Sequence, residues 1–341
     1  MDKAADKSCA LTAGPLRTAS AGGRLAGWFG VVSLLLASGL AGCSGQPKVS
    51  SIHRAGALST TTAAPATTTP PLPAPGPLTP LVEPALPGEG QWQGAGDRLA
   101  GGWAIYTTQL RPSAGAPPAG IAWVNTAATT TSLYAGTAEP HGTWSHQGQI
   151  AASQQPFLLG AFNGGFRIYD YQTGWYADGH AAVVLQPGKA SFVIFTDGTP
   201  TVADWDRDVQ LGPNIVAVRQ NLDLLVDGGV PVPTVTSPSL WGGVFGGGVL
   251  TWRSGVGVTV AGDLVYAAGP ALDPASLARL LVAAGAVRAM EMDINHQWIA
   301  FATYTHGLGV PAGINILSGM NYPPSHFLAP FPRDFVAIFA R

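Results

Sequence analysis

Charge is scarce in this chain: 11% of its 341 residues are Asp, Glu, Lys or Arg, against roughly 25% in an average soluble protein. The formal charge divides into +2 for residues 1–42, 0 for 43–90 and −4 for 91–341. That distribution excludes the basic footprint of a nucleic-acid binder. Cysteine is nearly absent, with only Cys9 and Cys43 present. Residues 91–341 therefore hold no disulfide and no cysteine-ligated zinc. The histidines show no HxxxH or similar spacing, which removes the usual helical metal-binding pattern. The one candidate for a long apolar run, Ala26 to Leu40, is shorter than the roughly 18 residues a membrane-spanning helix needs.

What is present at the N-terminus reads as an export signal. Lys3, Lys7, Arg17 and Arg24 precede the apolar run, which ends in Leu40-Ala41-Gly42-Cys43. That step resembles the lipobox of bacterial lipoproteins, which implies a signal peptide over 1–42 and lipid modification of Cys43, with the mature chain outside the cytoplasm and held to the cell membrane. Residues 43–90 are Pro-, Thr- and Ala-rich, with Thr60-Thr61-Thr62, Thr67-Thr68-Thr69 and a proline-dense run from Pro70 to Pro87. Such a segment buries too little apolar surface to offset its ordering entropy, so a disordered tether is expected.

From residue 91 the texture changes to short β-branched stretches punctuated by Gly and Pro. About 250 residues is a size at which one hydrophobic core is normal. Strands are expected at 103–108, 121–124, 157–162, 181–185, 191–195, 215–219, 222–226, 255–260, 264–268 and 286–294. One helix is expected over 274–284, with Asp273 as cap, Pro274 in the first turn, Leu277, Leu280 and Leu281 on one face and Gly285 at the end. The order strand, strand, helix, strand over 255–294 predicts a mixed sheet with a helix on one face. The expected class is α+β: a single β-rich domain with few helices.

Candidate chemistry concentrates in Ala289-Met290-Glu291-Met292-Asp293-Ile294. Strand alternation places Glu291 and Asp293 on one face, roughly 6–7 Å apart, a spacing that lets one carboxyl shift its neighbour for acid/base work. Glutamate is otherwise found in 91–341 only at Glu139. Asn163-Gly164-Gly165-Phe166 and Val226-Asp227-Gly228-Gly229 each follow an apolar strand, where glycine permits close backbone approach. Arg219 and Arg253 flank strands and carry the group best suited to phosphate or carboxylate. Gly242-Gly243 and Gly246-Gly247-Gly248 lack a following helix, which discounts a nucleotide loop. Asp204, Asp206 and Asp208 alternate like a calcium loop, but Val209 and Ile215 occupy the positions of its glycine and its bidentate acid, which excludes an EF-hand.

Taken in order, these pieces resemble the phosphodiester glycosidase family. The resemblance rests on Phe162-Asn163-Gly164-Gly165-Phe166, Leu225-Val226-Asp227-Gly228, Arg253 with Val256-Gly257-Val258, Leu277-Ala278-Arg279-Leu280, and the step ending at Asp293. It implies hydrolysis of a sugar-1-phosphate diester or a related glycosidic bond, in envelope or extracellular polysaccharide. Asn163, Arg253 and Asp293 would lie in the pocket, with Arg253 holding phosphate and Asp293 or Glu291 acting as catalyst; Gly164, Asp227, Arg219, Asn295, His296 and Trp298 are the further candidates for the substrate site. Where the family carries Gly-Gly-Gly-Ser after the aspartate, this chain has Ile294-Asn295-His296-Gln297-Trp298. Trp298 offers a sugar-stacking platform, so a non-catalytic glycan-binding lipoprotein stands as the alternative. No cofactor is expected; Asp293, Asp227 and Asn163 carry oxygen ligands that a divalent cation accepts, which leaves one open.

Overall fold

The computed structural model describes residues 70–242 and 248–341. The expected signal peptide, Cys43, most of the expected tether and the middle of the 242–248 glycine run lie outside the described residues. In chain order the strands are β1 (Gln93–Leu99), β2 (Gly102–Leu110), β3 (Ala119–Val124), β4 (Thr129–Tyr134), β5 (Leu158–Asn163), β6 (Trp175–Ala177), β7 (His180–Val183), β8 (Ala190–Phe195) and β9 (Pro200–Asp204). They continue as β10 (Ile215–Gln220), β11 (Leu224–Asp227), β12 (Val230–Pro231), β13 (Thr251–Thr259), β14 (Leu264–Leu272), β15 (Ala286–Glu291), β16 (Phe301–Thr305), β17 (Ala312–Asn315) and β18 (Phe335–Ala340). The α-helices among the described residues are α1 (Ile168–Tyr171) and α2 (Pro274–Ala283).

These strands form an eight-stranded sheet, β1-β2-β3-β14-β13-β15-β11-β12, and two five-stranded sheets, β7-β6-β10-β8-β9 and β17-β16-β5-β18-β4. One buried cluster joins all three: Ile105, Val256, Tyr266 and Met290 from the first, Phe192 and Ile194 from the second, Phe162, Phe301 and Ile338 from the third. The class is β-rich with few helices, as expected. The mixed sheet is not found, because every strand pairing among the described residues is antiparallel. The reason is that β13 lies between β14 and β15 and runs antiparallel to both. Helix α2 thus links two strands of like direction that never bond each other.

Helix α2 starts where Asp273 Oδ1 accepts the Ser276 amide at 2.6 Å. Its Leu277, Leu280 and Leu281 pack on the outer face of the large sheet against Val265 and Ala289. Contact is close because β13 carries glycine there: a Cβ on Gly255 would stand 2.9 Å from Leu281 Cδ1.

Part of the expected tether is folded, which corrects its boundary. The Leu72 amide donates to Gly101 O at 2.8 Å, the Leu78 amide to Gly90 O at 2.9 Å, and Trp92 Nε1 to Gly76 O at 2.8 Å. Glu89, almost fully buried, accepts from the Arg111 amide at 2.6 Å and from Arg111 Nε at 3.2 Å. Composition reads as disorder here because proline supplies no ladder donors, yet a few anchored carbonyls and one ion pair hold an extended strap. Glu89→Ala leaves Arg111 without its buried partner and is expected to lower stability by about 2–4 kcal/mol. Urea unfolding measures it, and a loss below about 0.5 kcal/mol would mean that the strap contributes nothing.

Candidate functional site

Three chain segments meet at one end of the β17-β16-β5-β18-β4 sheet: the stretch after β5, the stretch before β16 and the stretch before β18. Together they border a cleft of about 720 Å³ that includes Glu139, Phe166, Arg167, Tyr171, Asp293, His296, Trp298 and Arg333. Asp293 is the one expected catalytic residue that lines it.

The expected partnership of Glu291 with Asp293 is broken by the backbone. Ser254 answers two residues at once: the Met292 amide donates to its carbonyl at 2.8 Å, while its own amide donates to Asp293 O at 2.9 Å. Two residues opposite one is a β-bulge, which re-aims the side chain beyond it. Strand β15 accordingly ends at Glu291 rather than at Ile294.

Glu291 is fully buried and bonds Arg253 Nη1 at 2.5 Å. Arg253 is also buried and donates to Leu272 O and Trp241 O, each at 3.0 Å. Neither residue borders the cleft. The roles expected of Glu291 as catalyst and Arg253 as phosphate holder are thus corrected: the pair ties the Pro238–Trp241 turn to β13 and β14. Burial raises the Glu291 carboxyl to about 7, against the pull of Arg253.

Asn163 is equally occupied. Its Nδ2 donates to Gly164 O at 2.8 Å and to Ser254 Oγ at 3.1 Å, and its Oδ1 accepts from Tyr266 OH at 2.8 Å and from the Ala300 amide at 3.2 Å. All four bonding directions of the amide are filled. Arg219, fully buried, donates from Nε to Asp334 Oδ2 at 2.7 Å and from Nη1 to Thr173 Oγ1 at 2.7 Å. A Cβ on Gly164 would collide with the Asp334 carboxylate, and one on Gly165 would stand 3.1 Å from the Arg219 guanidinium. The Asn-Gly-Gly step thus makes room for a buried ion pair rather than for a ligand. Asp227 lies elsewhere, in a surface network with Arg207 and Arg288. The oxygen ligands named for a cation are therefore not assembled, and no group of three or more His, Cys, Asp or Glu able to hold a metal occurs among the described residues.

Around Asp293 the site is built from residues that the sequence reading did not assign. Arg333 Nη2 donates to Asp293 Oδ2 at 3.4 Å and to Gly165 O at 2.9 Å. Arg333 Nε lies 2.8 Å from Glu139 Oε1, an ionic contact off the N–H axis. Glu139 Oε2 accepts the Ile168 amide at 3.0 Å, and Arg167 Nε approaches Oε1 at 3.7 Å. Arg167 is mostly exposed on the cleft wall and pairs with Asp170 at 3.1 Å. The rarity of glutamate already marked Glu139, and Arg333-Asp334 stands out as two charges between Phe331 and Phe335.

Asp293 Oδ1 accepts the Asn295 amide at 2.8 Å, and Asn295 Oδ1 accepts the Gln297 amide at 3.0 Å. Asn295 therefore shapes the loop as well as bordering the cleft. Burial raises the Asp293 carboxyl to about 6, while Arg333 and the loop amides pull it down and Asp334 pushes it up. Trp298 is not a bare platform: the Arg333 guanidinium lies 5.0 Å from its ring centre, and Tyr322 lies stacked at 5.9 Å. His296 stacks on Trp252 at 4.5 Å. Tyr171, also lining the cleft, is an exposed ring 4.9 Å from Phe166.

A carboxyl whose folded-state pKa is raised binds its proton more tightly in the folded chain. Its contribution to stability is full below the unfolded value of 3.8 and is lost as pH rises to about 6. Asp293→Asn is therefore expected to match the parent near pH 4 and to exceed it by up to about 3 kcal/mol at pH 7.5. Denaturant unfolding at the two pH values checks this; equal gains at both would show that Asp293 is not desolvated in the way described.

No family model matches the chain, and no curated protein matches it. Among solved structures it is similar to the zebrafish N-acetylglucosamine-1-phosphodiester alpha-N-acetylglucosaminidase catalytic domain auto-inhibited by its pro-peptide. That match has 14% identity and a TM-score of 0.41, and covers 74% of this chain and 88% of that one. It is also similar to a hypothetical protein from Synechocystis, with 14% identity and a TM-score of 0.38, covering 70% of this chain and 62% of that one. Both are distant likenesses.

Proposed function

We propose that the chain is an exported, lipid-anchored glycoside hydrolase that cleaves a sugar-1-phosphate diester or a related glycosidic bond in envelope or extracellular polysaccharide. The observation that carries this reading is Asp293: a desolvated carboxyl raised to about 6, at the surface of a cleft large enough for a sugar and its leaving group. As general acid it donates its proton to the glycosidic oxygen as the bond to the anomeric carbon breaks, while water adds to that carbon and gives up its proton to the second carboxylate. Glu139 is the second carboxylate. It and Asp293 contact the same guanidinium, at 2.8 Å and 3.4 Å. That shared group keeps them within the roughly 9.5 Å that glycosidase carboxylate pairs span. Arg167, exposed on the cleft wall, and Arg333 replace Arg253 as the groups that meet a phosphate. Tyr171 supplies the exposed ring for stacking against a sugar face.

The alternative, a non-catalytic glycan-binding module, is favoured by the sealing of Glu291 against Arg253, which leaves Asp293 without the neighbour the sequence offered. The two readings separate on one assay: sugar released by the full chain from a panel of sugar-1-phosphate diesters and aryl glycosides. As general acid, Asp293 must be protonated, so kcat/KM is expected to fall tenfold per pH unit above about 6. Asp293→Asn is expected to lower kcat by 10²–10⁴-fold, and Glu139→Gln to lower it as well. Glycan binding that persists in Asp293→Asn, with no turnover by the parent at any pH, would make the chain a binder.

A further inference from the structure

The end of the molecule opposite the cleft carries exposed apolar side chains. Leu308 and Val310, in the β16–β17 connection, are 111% and 75% exposed. Phe157, directly before β5, is 58% exposed. Register fixes their position. In β5 and β16, Phe162 pairs with Phe301 and Gly160 with Thr303. The cleft borders the end of β5 at Asn163 and the approach to β16, so the start of β5 and the end of β16 lie at the far edge. Six strand residues separate the two ends by about 20 Å.

The described structure begins, at Pro70, toward the same far end. The Leu72 amide bonds Gly101 O, in the β1–β2 turn. Asp97, at the end of β1, pairs with His306, the residue that opens the 306–311 connection; the His306 amide donates to Asp97 Oδ1 at 3.1 Å and its Nε2 lies 2.7 Å from Gln155 O. Arg98, exposed, follows Asp97. The first described residues are thus linked, through Leu72 and Gly101 and then Asp97 and His306, to the connection that carries the exposed leucine and valine.

We propose that this end is a membrane-docking face: Leu308, Val310 and Phe157 enter the interfacial region of the bilayer to which Cys43 is anchored, and Arg98 meets anionic headgroups. Exposed leucine and valine at a loop tip are disfavoured in water and gain on entering lipid. A short lipid-side contact added to an acyl anchor is the two-signal arrangement that gives stable, oriented attachment. Docked this way, the cleft faces away from the membrane. The inference rests on the lipid-anchored part of the reading above and is independent of catalysis.

The test uses the full chain reconstituted on phosphatidylethanolamine–phosphatidylglycerol vesicles, beside a Leu308→Asp/Val310→Asp chain, read by flotation and by hydrogen exchange. On vesicles, the amides of Gly307 to Val310 are expected to exchange at least tenfold more slowly in the parent than in the double variant, after correction for intrinsic rates, while Asn295 to Trp298 exchange equally. If both chains float and the tip exchanges equally, the docking face is overturned and the anchor stands. If neither chain floats, the anchor and the docking face both fail. Sugar release from a soluble substrate is expected to be the same in both chains, so loss of turnover is a separate result.

Discussion

The cleft depends on a fully buried ion pair. Arg219, in β10, and Asp334, just before β18, are both fully buried and bond at 2.7 Å. Burying two charges is costly, and a lone pair of this kind stabilises little against an apolar substitute. Its effect here is positional. Arg219 also binds Phe166 O and Gln220 O, and the Asp334 carbonyl accepts the Gly164 amide at 3.0 Å. The next residue, Asn221, donates to the Glu291 and Met292 carbonyls at 2.7 Å and 2.9 Å. All three sheets are thus pinned at one point. Arg333 is placed there by its neighbour and reaches Asp293, Glu139 and Gly165 O from a fixed base.

That scaffold explains why the acids divide as they do. Glu291 and Asp293 are two residues apart, and a regular strand would have shown both to one side. Glu291, still in register opposite Gly255, keeps the strand's direction toward α2, where Arg253 meets it, and the bulge at Ser254 turns Asp293 to the cleft. Each acid is then desolvated, but with opposite consequences. The first is bound to a guanidinium that makes two further backbone bonds and has no room to move. The second shares a longer contact with Arg333 and keeps access to solvent-filled space. A carboxyl that can change its protonation state without tearing down a core interaction is the one suited to transfer protons.

Much of the strand framework was legible, since β2, β3, β5, β8, β10 and β14 are apolar or β-branched runs between turn residues, and α2 has its cap and leucine face. Other strands gave no such signal. β1 is polar and glycine-containing, β4 reads as a threonine run, and β6 and β12 are too short for a period to show. Of the residues singled out in the sequence, Asp293 and its loop line the cleft, whereas Asn163, Arg219 and Arg253 do not. Those side chains were chosen for what their groups can bind, and each proved to be bound already within the protein. Hydrogen-bond saturation is a tertiary property: Tyr266, Asp334 and Glu291 are distant in sequence from the groups they fill. In a chain with 11% charge, an arginine inside an apolar region is more readily matched to an internal acid than left for a ligand.

The low charge content has a further consequence for how the two ends differ. At the cleft end, charged side chains occur as a mutually paired set, Glu139, Arg167, Asp170, Asp293 and Arg333. At the far end the contribution is apolar, with Asp97 already taken by His306 and Arg98 lying 5.0 Å from the Trp103 ring centre. The strands connecting them, β5 and β18, are buried along most of their length and carry no charged residue. Polarity is therefore segregated along the strand axis rather than between the faces of a sheet. A fold whose central strands are covered on both faces can vary its surface character only at its strand ends, and this chain places the paired charges at one and exposed apolar side chains at the other.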